Sequence, residues 1–350
     1  MFSSVVAVLI LNDMNVYQDK KPSITDWVKP GDPTGEFKRQ QSRFRDFISK
    51  DPDAEFPAEK DRYHLFVSYA CPWAHRTLIV RSLKGLEDII PFTSVHWHMG
   101  EQGWRFATAD EHLPGKNVTP NPLDPEFTHL RDLYFSVNKD YEGRFTVPTL
   151  WDKKKKTIVN NESSEIIRMF YTEFDDLLPD KFKNVDLFPK ELQAKIEETN
   201  GWTYDDINNG VYKSGFATTQ EAYERNVIQL FKSLDRAEAD LAKSPGPYYF
   251  GDKITEADIR LFTTIVRFDP VYVQHFKCNI RDIRSGYPHL HKWLRQLYWN
   301  VPAFGESTEF EHIKKHYTKS HKPINQFAIT PVGPVPDILK PDEEVAAAQR

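Results

Sequence analysis

Hydrophobic and polar positions change their period twice along this chain. Up to about residue 60 there is no period. Pro22, Pro30, Pro33, Pro52 and Pro57 break up a polar stretch anchored by Phe37, Phe44 and Phe47. This predicts an extended arm, part of which, including a short helix, packs on the body. The apolar run Val5–Leu11 lacks the basic start and small-residue cleavage pattern of a secretory signal, so a short strand or an extension is expected there.

From about residue 62, short apolar runs alternate with helical spacing. Leu65-Phe66-Val67 predicts a strand, Pro72 to Leu83 a helix closed by Lys84-Gly85, and Ile89 to Trp97 a second strand. Strand, helix, strand predicts a right-handed parallel unit. Pro114, Pro120, Pro122 and Pro125 make 105–127 a long loop before a helix from about Phe127 to Val137. Arg144–Trp151 and Thr157–Val159 then read as strands joined by the turn Asp152–Lys156, with a helix from Glu162 to Tyr171. The order β-α-β-α-β-β-α is that of a thioredoxin-like domain.

After about residue 176 the strand signals stop. Glu191–Tyr212, Gln220–Lys243, Thr255–His275 and Pro288–Trp299 repeat apolar residues at three- and four-residue steps, and Thr255-Glu256-Ala257-Asp258 reads as a capping box. The predicted fold class is α/β plus all-α. It comprises an arm at 1–60, a thioredoxin-like domain at 61–175, a helical domain at 176–320 and a Pro-rich, charged, mobile tail at 321–350.

Composition narrows the classes. With 350 residues the chain can bury two cores, and a formal net charge of −5 offers no global basic field for nucleic acid. Lys153–Lys156 lies between strands and reads as a solvated hairpin tip. No apolar run approaches the roughly 18 residues of a membrane span. Two cysteines argue for a reducing compartment, and hence for a soluble cytoplasmic protein.

The candidate chemistry starts at Cys71, between the strand Leu65-Phe66-Val67 and a helix beginning with Pro72. A thiol there meets unpaired N–H groups and the positive end of the helix dipole, which favour the nucleophilic thiolate. The alternative is a small buried apolar residue. Ala74 stands where a Cys-x-x-Cys motif has its resolving thiol, so a disulfide at Cys71 needs an outside thiol. Cys278 reads as packed. His75, inside the Cys71 helix, is a candidate to tune the thiolate but is expected to point elsewhere. His96 with His98, and His289 with His291, lack the spacing of a metal motif, and no metal is expected.

Three segments carry a resemblance: Cys71-Pro72-Trp73-Ala74-His75-Arg76-Thr77, Val95-His96-Trp97 with Gly103-Trp104-Arg105-Phe106, and Asn208-Asn209-Gly210-Val211-Tyr212-Lys213-Ser214-Gly215-Phe216-Ala217. Together with Asp269-Pro270-Val271-Tyr272 and the residues to Asn279, they resemble the glutathionyl-hydroquinone reductases, or Xi-class glutathione transferases, over roughly residues 36–337. The family's tail reads Ile-Asn-Pro, whereas this chain has Ile324-Asn325-Gln326 and keeps Gly333-Pro334. That departure bears on substrate preference more than on chemistry.

The resemblance implies that Cys71 is the nucleophile and glutathione the co-substrate. It also implies glutathione binding by Trp104, Arg144, Val147, Glu162 and Ser163, a hydroquinone pocket lined by Tyr212, Tyr272 and Tyr317, and a homodimer. Pro148 would follow a cis bond, leaving the Val147 backbone to pair with the peptide. Glu162 suits an ammonium, and Ser163 with the helix N–H groups suits a carboxylate, although Glu162-Ser163 also fits an ordinary helix cap. Tyr212 is the candidate for proton transfer, its alternative being a core aromatic. The activity implied is thiolytic reduction of glutathionyl-hydroquinones. The alternatives are a broader omega-like thiol transferase acting on dehydroascorbate or mixed disulfides, and a non-catalytic quinone- or glutathione-binding protein.

Overall fold

The computed structural model describes residues 27–28 and 31–343. The run Val5–Leu11 lies outside them. The first half is built on β1 (Tyr63–Val67), α1 (Pro72–Leu83), β2 (Phe92–Ser94), the small hairpin β3 (Met99–Gly100) and β4 (Gly103–Trp104), and α2 (Leu130–Val137). It closes with β5 (Thr149–Asp152), β6 (Thr157–Asn160) and α3 (Ser163–Thr172). The sheet order is β2-β1-β5-β6, with β1 parallel to β2 and antiparallel to β5, and β5 antiparallel to β6. All of β1 is buried, so Leu65-Phe66-Val67 reads as a continuous apolar run rather than an alternation.

The second half holds α4 (Gln193–Trp202), α5 (Gly210–Gly215), α6 (Gln220–Lys243), α7 (Glu256–Ile265), α8 (Pro288–Asn300) and α9 (Phe310–Ser320), joined by shorter helical turns. It meets the first half through α1 and α7, so the Cys71 helix lies at the seam.

Several expectations shift, each for a local reason. The second strand shrinks to Phe92–Ser94, and the hairpin β3–β4 was not foreseen. The helix expected from Phe127 begins at Leu130, because the Asp132 carboxylate accepts the His129 N–H and fixes the cap. Residues 144–148 are not a strand. Glu191–Tyr212 and Thr255–His275 are each broken by a π-helical turn, Thr203–Asn208 and Phe268–Tyr272. In the first, the Thr203 hydroxyl donates back to the Thr199 and Asn200 carbonyls; in the second, Pro270 has no N–H to continue the ladder.

The described part of the arm contains no helix. It runs extended against β6, with a bridge between Arg45 and Asn160, and its side chains alternate in direction. Ile48 is therefore buried while Phe47 is 52 % exposed, against the expectation that all three phenylalanines pack. The tail from 321 to 343 is pinned rather than loose. Ile338 and Leu339 are buried, and Trp299, Arg284 and Arg295 donate to tail carbonyls.

Candidate active site

Cys71 occupies the N-cap of α1 with extended backbone (φ −80°, ψ 119°) and Pro72 at the first helical position. The cap has no other side-chain acceptor, so the helix N-terminus faces the sulfur. The loop before it is held from the helical half by Arg267, a fully buried guanidinium. Its Nε donates to the Ala70 carbonyl (3.0 Å), Nη2 to Tyr69 O (2.8 Å), and Nη1 to Thr263 O (2.7 Å) and His75 Nδ1 (3.0 Å). With Nδ1 accepting, His75 carries its proton on Nε2 and donates to Ser307 Oγ (2.8 Å). His75 is thus a structural strut between halves and not a partner of the thiol.

The Cys71 thiol donates to the Val147 carbonyl at 3.4 Å, where a cis Val147–Pro148 peptide presents the backbone. Its pKa runs against the expectation. Burial pushes the thiol above its ordinary value, outweighing the Ala74 and Trp73 N–H groups and the charges of Arg267 and Arg39, all of which pull it down. The helix terminus is present as anticipated, but in this state desolvation wins.

The sulfur opens into a cavity of about 670 Å³. At one end Glu162 caps α3, accepting from Ser164 N (3.2 Å), Ser164 Oγ (3.0 Å) and Ser42 Oγ (3.0 Å). Both the capping reading and the polar-wall reading of Glu162 therefore hold geometrically. Ser163 beside it is buried, and its Oγ accepts from Arg76 Nη1 at 3.4 Å. Trp104 stacks on His316 (4.6 Å, 27°), and the Arg144 guanidinium lies 4.7 Å over Trp27.

At the other end stand the tyrosines. The Tyr212 and Tyr317 hydroxyls are 2.5 Å apart, and Tyr272 OH is 3.0 Å from that of Tyr317. Tyr212 and Tyr317 reach the cavity wall, whereas fully buried Tyr272 stands behind them and does not line it. Burial raises all three phenol pKa values, Tyr272 to about 12, so they are neutral donors at physiological pH.

Sequence reasoning missed the roof. Arg39 of the arm lies 3.7 Å over Trp73 and 5.1 Å from the Tyr212 ring, and its Nε donates to Asn209 Oδ1 at 2.6 Å. Trp27 stacks on Phe216 at 4.8 Å. In an aperiodic polar arm nothing marks these residues. A cation amid the apolar run Leu261–Phe268 was the available signal for Arg267. Cys278 is buried as anticipated.

Among the described residues, no three His, Cys, Asp or Glu side chains converge as metal ligands would, and no helix is long and apolar enough to cross a membrane.

The geometry has relatives. Residues 70–173 match the N-terminal domain of glutathione S-transferase and residues 220–296 its C-terminal domain. A glutathione S-transferase omega-like 2 of Schizosaccharomyces pombe is 57 % identical over 316 residues, 90 % of this chain and 97 % of that protein. The glutathionyl-hydroquinone reductase YqjG of Escherichia coli is 50 % identical over 322 residues, 90 % of this chain and 94 % of its own. The crystal structure of the Xi glutathione transferase ECM4 from Saccharomyces cerevisiae in complex with glutathione superposes with a TM-score of 0.81. It is 46 % identical and covers 86 % of this chain and 100 % of that one.

Proposed function

This chain belongs to the glutathione transferases, in the Xi class that includes the glutathionyl-hydroquinone reductases, and from that premise we propose that it reduces glutathionyl-hydroquinones to hydroquinones at Cys71. One observation carries the reading. A single cavity joins the half-buried thiol to a wall suited to an α-amino acid head at one end and to paired phenols at the other.

Glutathione fits the first end by chemistry. Glu162 would take the ammonium, and Ser163 with the α3 N–H groups the γ-glutamyl carboxylate. The Val147 backbone would pair with the cysteinyl unit in strand fashion, with Trp104 and Arg144 closing the wall. Cys71 thiolate then attacks the glutathionyl sulfur. A Cys71–glutathione disulfide forms, the sulfur–aryl bond breaks, and the electron pair leaves with the ring carbon. That carbon takes a proton relayed from the tyrosine set, with Tyr212 as the donor and Tyr317, backed by Tyr272, holding it. A second glutathione thiolate attacks the mixed disulfide, releasing glutathione disulfide and Cys71 thiolate. The aryl thioether is thereby reduced: its glutathionyl sulfur and the thiol of the second glutathione end as one disulfide, and the proton lost by that thiol balances the one gained by the ring carbon. Ala74 suits the scheme, since the resolving thiol comes from outside. The reading divides the body into a glutathione-binding unit at 61–175 and a substrate unit at 176–320, in a cytoplasmic homodimer of the kind the family implies.

Chromatographic assay of hydroquinone and glutathione disulfide formed from a glutathionyl-hydroquinone, wild type against Cys71→Ser, tests it. Turnover that vanishes in the variant is expected. An inactive wild type that reduces dehydroascorbate or mixed disulfides instead makes it a broader thiol transferase. Inactivity on all of them leaves a binding protein.

A further inference from the structure

Arg76 is among the largest fully buried side chains, 1 % exposed on the inner face of α1. A guanidinium stays charged in proteins, and a buried charge is costly without a counter-charge. Among the described residues no carboxylate pairs with it. Its Nη2 donates to Asn208 Oδ1 at 2.8 Å, Nη1 reaches only Ser163 Oγ at 3.4 Å, and Nε has no hydrogen-bond partner.

The nearby carboxylates are occupied elsewhere. Glu256 accepts from Arg168, Arg260, Asn200 and Tyr171, and Glu162 from Ser42 and Ser164. Arg260 adds a second positive charge close by. Asn208 cannot swing to compensate, because its Nδ2 is bound to Arg260 O and Thr264 Oγ1. Arg76 is thus an under-satisfied cation that reaches the polar wall of the cavity through the hydroxyl of Ser163, the first residue of α3.

We infer that Arg76 is a positioning residue for the α-carboxylate of the ligand's γ-glutamyl unit, supplying through Ser163 the formal positive charge against which that carboxylate settles. The inference rests on the glutathione reading above and deepens it. Neighbouring Glu162 and Ser163 then present opposite fields, negative from Glu162 and positive from Arg76 behind Ser163. That pair selects a zwitterionic α-amino acid head over one bearing only an amine or only a carboxylate. Asn208 lies in the second half, so the field also depends on the two halves being docked.

Calorimetric binding of two thiols tests it: glutathione, and the analogue 4-aminobutanoyl-cysteinyl-glycine, in which hydrogen replaces the α-carboxylate. The wild type is expected to bind the analogue about thirtyfold more weakly, as loss of one partner of a desolvated charge pair requires. Arg76→Met should bind glutathione about thirtyfold more weakly and tell the two thiols apart by no more than about threefold, while Arg76→Lys restores part of the preference. An Arg76→Met protein that keeps the full wild-type preference overturns the inference. The preference is a ratio within one preparation, so partial unfolding does not imitate its loss. A wild type that binds neither thiol sinks the glutathione reading and this inference with it; one that prefers glutathione, with Arg76→Met unchanged in preference, sinks the inference alone.

Discussion

At the residue scale the governing competition is at Cys71, where two attractive effects and one repulsive effect meet. N–H groups of α1 and the Arg267 guanidinium favour thiolate; burial disfavours it and prevails. The thiolate fraction at neutral pH is therefore below that of a free cysteine, and alkylation should accelerate as pH rises past the ordinary thiol range. Removing Arg267 takes away one of the stabilising charges, so the thiol pKa should rise further. Iodoacetamide labelling of Cys71 in Arg267→Met should run several-fold slower at pH 8, since less of the thiol is ionised. The rate-against-pH curve should move bodily upward in pH. A slower rate with an unmoved curve would mean that Arg267 only shapes the loop. Cys71 itself was legible because strand, thiol and proline are adjacent in sequence. Arg267 carried a signal in the apolar run around it, but Arg76 carried none, because a buried arginine and a surface arginine are the same letter in a helix, and only packing tells which has lost its water.

At the element scale legibility followed local rules. The helix Gln220–Lys243 and the helix Pro72–Leu83 have the predicted bounds, since each is amphipathic or capped by its own sequence. The capping box on α7 is present too, and its Asp258 does more than close a turn. Its carboxylate accepts from Thr255 N (2.9 Å), Thr255 Oγ1 (3.1 Å), Tyr249 N (2.8 Å) and Trp293 Nε1 (2.8 Å). Thr255→Ala should therefore cost about 1 kcal/mol, the usual cap penalty. Asp258→Ala, which leaves buried donors on three elements unpaired, should cost about 3 kcal/mol or more. Urea unfolding midpoints at constant slope check both, and equal losses would show that the extra donors do not matter. The π turns escaped because they arise from single residues inside otherwise unbroken periodicity. Thr203 acts through a backbone bond that period counting does not see. Pro270 was visible in the sequence, but the apolar spacing around it continued on both sides. The arm and tail misled for a related reason: they are held by main-chain carbonyls and extended alternation, which composition does not register.

At the scale of the whole molecule, histidine distribution sets the response to acid. Eight imidazoles are buried and held neutral by desolvation: His96, His275, His291 and His312 with pKa values lowered to about 4, His64 and His316 to about 3, and His75 and His321 to well below the ordinary value. Several are structural joints between parts distant in sequence. His75 joins Arg267 to Ser307, His312 reaches the Pro114 carbonyl, and His275 meets His321 at the start of the tail. A histidine with a depressed folded-state pKa contributes stability that is complete above its unfolded value near 6.5 and is lost as pH falls toward the folded value. Between pH 6.5 and 5 each such group costs roughly 2 kcal/mol, and four together cost about 8 kcal/mol, within the whole margin of an ordinary domain. Asp269, raised to about 6 by burial, works in the opposite sense, gaining stability as pH falls through that value, and burial raises Asp258 and Glu309 as well; these are three carboxyls against eight imidazoles. The urea midpoint followed by tryptophan fluorescence should thus be nearly level above pH 7, fall steeply below 6.5, and vanish by about pH 5. A midpoint that stays level from pH 7 to 5 would mean that the histidines take up protons without unfolding the chain, and that the joints they make are not what holds the two halves and the tail together.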